Sequence, residues 1–427
     1  MTEGRSLDRI ADPRVRALAM AMSRRTMLRG VAAGGAAAAA SSLLAACGTS
    51  PAVAPASSEG VSAASSAGVS TASSAGVPAA PDKSDTEKVV NFSNWQAYID
   101  VDAKDANKRP SVDQFKAKTG ITVTYTEDVN DNDSFYAKLL PQLRAGQDTG
   151  RDLFALTDWM AARLIRQKFV QKLDKTQIPN VTANLIDSLK TPSWDPTRDF
   201  SAPWQSGITG IAYLKNKVPA VKTITELLTR PDLKGRVTVL TEWRDTIGLI
   251  LLEQGKDPAN VTDDDYSAAI AMLQKANDSG QLRGFTGNEY KQQITAGTLY
   301  ACLAWSGDIV QAQVENANVT WSQPEAGMMI WADNMMIPNQ AQHTKNAEKV
   351  MNWYYDPAIA AEVAAYVQYI CPVKGAKEAM TKIDKTLVDN PLIFPTKEFL
   401  AKTHIFKGLD EATETKYAAQ FNKVKGA

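Results

Sequence analysis

Residues 88–125 read KVVNFSNWQAYIDVDAKDANKRPSVDQFKAKTGITVTY. Lys88 to Phe92 is a β-rich run. Ser111 to Lys118 reads as a helix closed by Gly120, because glycine readily takes the left-handed conformation that ends helices. Ile121, Val123 and Tyr125 then alternate with threonines, the period-two pattern of a half-buried strand. Strand, helix and strand in one short stretch predict an α/β fold.

The alternation continues outward from this stretch. A helix is predicted around Phe135 to Arg144, a buried strand at Asp152 to Leu156, and further strands at Gly207 to Leu214 and Arg236 to Leu240. Asp356 and Pro357 supply an N-cap and a first-turn proline for a helix running toward Val367. Strands alternating with helices imply mainly parallel sheets, whose ligand sites lie beyond the carboxyl ends of the strands. At 427 residues the chain is too long for one small domain and predicts two lobes.

Composition narrows the function. Forty-seven basic residues balance 47 acidic ones, so no basic surface asks for nucleic acid. Residues 1–46 hold seven Arg against three acids, a net +4, which leaves the remainder near −4, as suits a soluble binder and a cationic ligand. Three cysteines and two histidines, His343 and His404, build no His/Cys metal cluster of usual spacing and leave little for acid–base catalysis. Neither a metal nor a cofactor is expected. No nucleophile–base pair is evident, and an extracellular enzyme is the weaker alternative.

The first 46 residues read as a twin-arginine export signal. Arg24 and Arg25 stand just before the uncharged, Ala-rich run Gly30 to Ala46, which is too short for a mature membrane span. The run ends in Leu44-Ala45-Ala46-Cys47-Gly48, similar to the lipobox of bacterial lipoproteins, which marks Cys47 as the lipidated residue. The linker of residues 47–87 repeats SSEGVSAA, SSAGVSTA and SSAGVPAA from Ser57, Ser65 and Ser73. Such side chains bury too little apolar area to offset backbone ordering, so the segment reads as a flexible tether.

Aromatic and acidic residues recur just after the predicted strands: Trp95 and Tyr98, Asp158 and Trp159, Trp204, Trp243 and Asp245, Trp305 and Asp308, Trp331 and Asp333, and Tyr369. Ring faces attract cations, carboxylates neutralise an ammonium, and the same rings pack on an alkyl chain. Any one of the tryptophans equally fits a core position, and an isolated Asp equally fits a helix cap or a loop. Tyr354-Tyr355 superficially suggests a ferric site, but the pair lies on a helix and at most one ring is expected to point inward.

From about Val89 to Lys423 the chain resembles the spermidine/putrescine-binding proteins of bacterial ABC transporters. The resemblance rests on Phe92-Ser93-Asn94-Trp95-Gln96-Ala97-Tyr98, Asp152 to Trp159, Leu303-Ala304-Trp305-Ser306-Gly307 and Met329-Ile330-Trp331-Ala332-Asp333-Asn334. It implies a two-lobed type II periplasmic-binding-protein fold with a hinge of crossing strands. Lobe one would comprise residues 88–208 and 332–377, and lobe two 209–331 and 378–427. It also implies a ligand site of Trp95, Tyr98, Thr157, Trp159, Asp245, Trp305, Trp331, Asp333 and Tyr369. The implied partners are a small polyamine-like cation and a membrane permease with its cytoplasmic ATPase. The expected product is an extracytoplasmic monomer anchored to the membrane through Cys47.

Two departures bear on the ligand. The family's opening motif carries a glutamate that holds one ammonium where this chain has Ala97, and a second acidic position near Asp245 is either occupied by Trp243 or lost in a small gap. A less negative pocket suits a shorter, singly charged or zwitterionic solute. Arg244 either pairs with Asp245 or reaches a ligand carboxylate with a two-pronged hydrogen bond. Cys302 and Cys371 are expected to be free thiols, since twin-arginine substrates fold in a reducing compartment.

Overall fold

The computed structural model describes residues 79–426. Arg24, Arg25, Cys47 and nearly all of the tether lie outside the described residues. Among the described residues no helix is long and apolar enough to cross a membrane.

β1 (Val89–Trp95) pairs in parallel with β2 (Thr122–Val129) and β3 (Leu153–Thr157). Helices Pro110–Thr119 and Asn132–Ala145 make the two crossovers. Gly120 ends the first at φ 72°, its N–H returning to the Lys116 carbonyl. The Asp131 carboxylate caps the second by accepting from Ser134 N. The second lobe repeats the plan, with β5 (Val237–Leu240) parallel to β6 (Leu282–Thr286) and β7 (Ala301–Trp305). Helix Pro357–Val367 begins at the Asp356 cap, as the sequence predicts.

Two long strands join the halves. β4 (Ala202–Leu214) and β9 (Met328–Met336) run antiparallel to each other. β9 also pairs β3, setting Asp333 opposite Thr157, while the far end of β4 pairs β7, setting Thr209 opposite Trp305. One sheet results, in the order β2-β1-β3-β9-β4-β7-β5-β6, with β8 (Val319–Ser322) on β4 and β10 (Thr403–His404) on β9. A third crossing is tied to β4 where Ser206 and Ile370 exchange backbone hydrogen bonds of 3.0 and 2.8 Å. β4 begins five residues earlier than its sequence pattern suggests. Residues 202–206 are buried throughout, so no polar alternation marks them, and Pro203 argues against a strand.

Two hydrophobic cores lie on either side of this hinge. The first gathers residues from Val90 to Trp204 and from Met335 to Ile393, the second residues from Ile211 to Met329 and from Tyr417 to Val424. Ile208, Met328 and Ile370 form a small cluster at the crossing itself. Met380 and Ile393 sit in the first core, although the sequence division places everything after residue 377 with lobe two. The first part of that stretch stays with lobe one because helix Ala376–Met380 packs on helix Pro357–Val367, whereas Tyr417, Phe421 and Val424 lie in the second core. Tyr354 and Tyr355 are both buried in the first core, Tyr355 donating to the Pro203 carbonyl at 2.7 Å, so neither offers a metal ligand to the cleft.

Candidate ligand cleft

A cavity of about 410 Å³ opens between the lobes. Trp95, Tyr98, Thr157, Trp159, Asp245, Trp305, Trp331, Asp333 and Tyr369 all line it. The fold explains their convergence. Trp95, Thr157 and Trp305 end the parallel strands β1, β3 and β7, Asp245 starts the helix after β5, Trp331 and Asp333 lie on β9, and Tyr369 precedes the third crossing.

The rings form a box on the hinge strands. Trp305 meets Trp95 at 6.4 Å and Trp331 at 6.2 Å, both edge to face; Trp331 meets Tyr369 at 5.7 Å, and Tyr369 meets Tyr98 at 5.0 Å. Hydrogen bonds fix the ring planes. Trp331 Nε1 donates to Thr209 Oγ1 at 3.0 Å, and Trp305 Nε1 to Asp245 Oδ2 at 2.9 Å. Two glycines make room for the rings, because a methyl on Gly207 would overlap Trp331 and one on Gly307 would overlap Tyr369. Asp308, which also lines the cleft, accepts from the Tyr369 hydroxyl at 3.1 Å and the Tyr290 hydroxyl at 2.8 Å. Tyr290 in turn accepts from Trp305 N, so Asp308 orients two walls of the box.

Two carboxyl groups face this box. Burial pushes Asp333 up to about 7, against the pull of hydrogen bonding to Thr157 and Tyr98 and with added repulsion from Asp158 and Asp245. Thr157 Oγ1 donates to it at 2.8 Å. Burial likewise raises Asp245 to about 6, opposed by its bond from Trp305. Neither group is among the ion pairs of the described residues, because Arg244 pairs with Glu242 and Glu414. Asp158 is committed to structure, accepting from Ala332 N at 3.1 Å and Asn334 Nδ2 at 2.8 Å.

Away from the box, charges are paired among themselves. Glu242 caps helix Trp243–Glu253 and accepts from Trp159 Nε1 of the other lobe at 3.0 Å. Burial raises its carboxyl to about 8, only partly offset by Arg244. The Arg244 guanidinium lies 3.7 Å from the Trp159 ring centre and 4.1 Å from that of Trp243.

Glu242 itself lines the cleft and so adds a carboxyl group near Asp245 that the sequence reading did not single out. Trp243 is buried in the second core, edge-on to Tyr266 and Phe406. Three residues separate Glu242 from Asp245, one helical turn, and that spacing was the available signal. Trp204 is also a core residue, with Nε1 bonded to the Tyr98 carbonyl and its ring against Tyr354. Trp194 and Lys407 line the cleft with no sequence signal to find them. Ala97 adopts a left-handed backbone, φ 54°, between the cleft residues Gln96 and Tyr98. Cys302 and Cys371 are buried free thiols.

Two α/β lobes enclosing an aromatic and acidic cleft across hinge strands define a binding protein of the two-lobed class. The chain belongs to the family of bacterial extracellular solute-binding proteins, whose model matches residues 111–395. It is 28% identical to the putrescine-binding periplasmic protein PotF of Escherichia coli over 79% of this chain and 92% of that one. It is 24% identical to the spermidine/putrescine-binding periplasmic protein 1 of Haemophilus influenzae over 74% of this chain and 85% of that one. A solved structure described as a putative spermidine/putrescine ABC transporter from Listeria monocytogenes shares the fold at a TM-score of 0.69, with 24% identity over 79% of this chain and 99% of that one.

Proposed function

We propose that this protein is the capture component of an ABC importer and that it holds a small polyamine-like cation in the box of Trp95, Tyr98, Trp305, Trp331 and Tyr369. One observation carries the reading: Asp245 and Asp333 are buried carboxyl groups among aromatic rings, and among the described residues no lysine or arginine forms an ion pair with them. The ammonium groups of a polyamine neutralise both, and the rings hold its alkyl chain and its charge at ~0.5–2 kcal/mol per cation–ring contact. Thr157 and Trp159 complete the lobe-one wall. Relatives named for putrescine and spermidine binding support this ligand class. Export through the Arg24-Arg25 signal, anchoring through lipid on Cys47 and work as a monomer complete the proposal. A zwitterionic solute is the second reading, favoured by Arg166, Arg244 and Lys407 on the wall of the same cavity.

A thermal-shift screen of the full chain against putrescine, spermidine, agmatine, γ-aminobutyrate, betaines, amino acids and sugars tests the ligand class. A ligand at 100 times its Kd stabilises by about 2.7 kcal/mol, a clear rise in Tm. A di- or polyamine response is expected. A zwitterion response without an amine response selects the second reading, and a sugar response alone overturns both.

A further inference from the structure

We infer that Glu414 is the closure residue of this protein: it sets the affinity for every solute by holding the lobes together and does not choose among solutes. The inference rests on the solute-capture reading of the cleft. Glu414 lies in the first turn of helix Glu411–Lys425, which is fixed in the second core by Tyr417, Phe421 and Val424. Its side chain is nearly buried, and both carboxylate oxygens face the opposite lobe. Arg163 Nη2 approaches Oε1 at 3.3 Å, and Arg166 Nη2 approaches Oε2 at 3.2 Å. Both arginines stand on helix Asp158–Arg166, which Met160, Ala161 and Leu164 fix in the first core.

Within its own lobe Glu414 also accepts from Arg244. That guanidinium covers the Trp159 ring of lobe one, and Trp159 donates across the cleft to Glu242. Arg163, Arg166 and Trp159 thus reach one cluster on lobe two, and all three leave it when the lobes part. Glu414 and Arg244 belong to the same lobe and stay paired. When the lobes part, Arg163 keeps Asp133 of its own lobe at 3.0 Å but loses Glu414, Arg166 loses its carboxylate partner and the Trp159 indole loses its acceptor, and this difference favours closure. Glu414, Arg166, Arg244, Glu242 and Trp159 line the same cavity but lie outside the five rings that face Asp245 and Asp333, and Arg163 does not line it. A residue that shifts only the closed fraction multiplies all dissociation constants by one factor, because apparent affinity scales with the population of the competent state.

Glu414→Gln, and separately Arg163→Gln on the opposite lobe, test this. Dyes on Lys116→Cys and Asp278→Cys, one on each lobe, report lobe separation by single-molecule energy transfer, with and without solute. Both variants are expected to show a smaller closed fraction in the absence of solute. Dissociation constants should rise by a common factor of roughly 10 for every member of the screen that binds. An unchanged closed fraction in either variant, or a loss confined to one solute, overturns the inference; the latter makes Glu414 a ligand contact. If no amine binds at all, the polyamine reading fails, while the solute-free closed fraction still decides the role of Glu414.

Discussion

The ring box and the charged ends of the helices that face each other across the cleft carry the same kinds of residue, aromatic rings and charges, used in opposite ways. On the facing helices every prominent charge has a protein partner: Arg163 and Arg166 meet Glu414, Arg244 meets Glu414 and Glu242, and Trp159 donates to Glu242. In the ring box Asp245, one residue along from Arg244, and Asp333 on β9 receive neutral donors, among them Trp305 and Thr157. A buried carboxylate without a counter-charge is costly, and it is tolerated where a bound cation relieves it. On the proposed reading, paired charges hold the lobes and unpaired ones meet the cation.

Asp333→Asn should break this contrast most severely. Losing the central counter-charge of the box is expected to cost ~2–5 kcal/mol of amine binding, read by calorimetry, with the fold intact. Gly307→Ala comes next: the added methyl collides with Tyr369, and crowding of this kind costs ~1–3 kcal/mol, seen as weaker binding together with a lower Tm. Neither change touches the charge pairs between the facing helices.

The pH dependence sharpens the same contrast. In the empty cleft Asp333 and Asp245 hold protons up to about 7 and about 6, well above the ordinary carboxylate range. A cation selects the ionised forms, while an amine with a pKa near ~10 stays charged throughout. Affinity should therefore rise as pH increases through this window and level off above it, by up to about tenfold per pH unit for each group still protonated. For the ligand-free protein the sign is reversed. The folded state binds more protons than the unfolded chain between about pH 4 and 7, so these groups lower stability as pH rises, which melting curves across that range will show. The smallest change is expected from Ala97→Glu. Placed between Gln96 and Tyr98, it adds a carboxylate and should favour spermidine over putrescine by a few-fold, on the order of 1 kcal/mol.

Much of this was legible in residues 88–125 alone, because helix and strand periods alternate there without interruption and Gly120 marks the turn. Trp95, Tyr98 and Trp305 of the ring box were legible at or just after strand ends, and Trp331 and Tyr369 through the family resemblance. Three features were not. The start of β4 is buried on both faces and shows no alternation. Trp243 follows a strand as Trp159 does and Trp204 lies on one as Trp331 does, and only tertiary packing distinguishes them from the cleft tryptophans. The tie between Glu414 and Arg163 joins side chains 251 positions apart and leaves no local pattern.

Titration calorimetry of the full chain with putrescine at pH 7, in two buffers of different ionisation enthalpy, probes the unpaired carboxyl groups directly. The cleft described here predicts saturable binding whose apparent enthalpy differs between the buffers, with protons released as Asp333 and Asp245 ionise against the ligand. Binding of an uncharged solute with no response to any amine would contradict it.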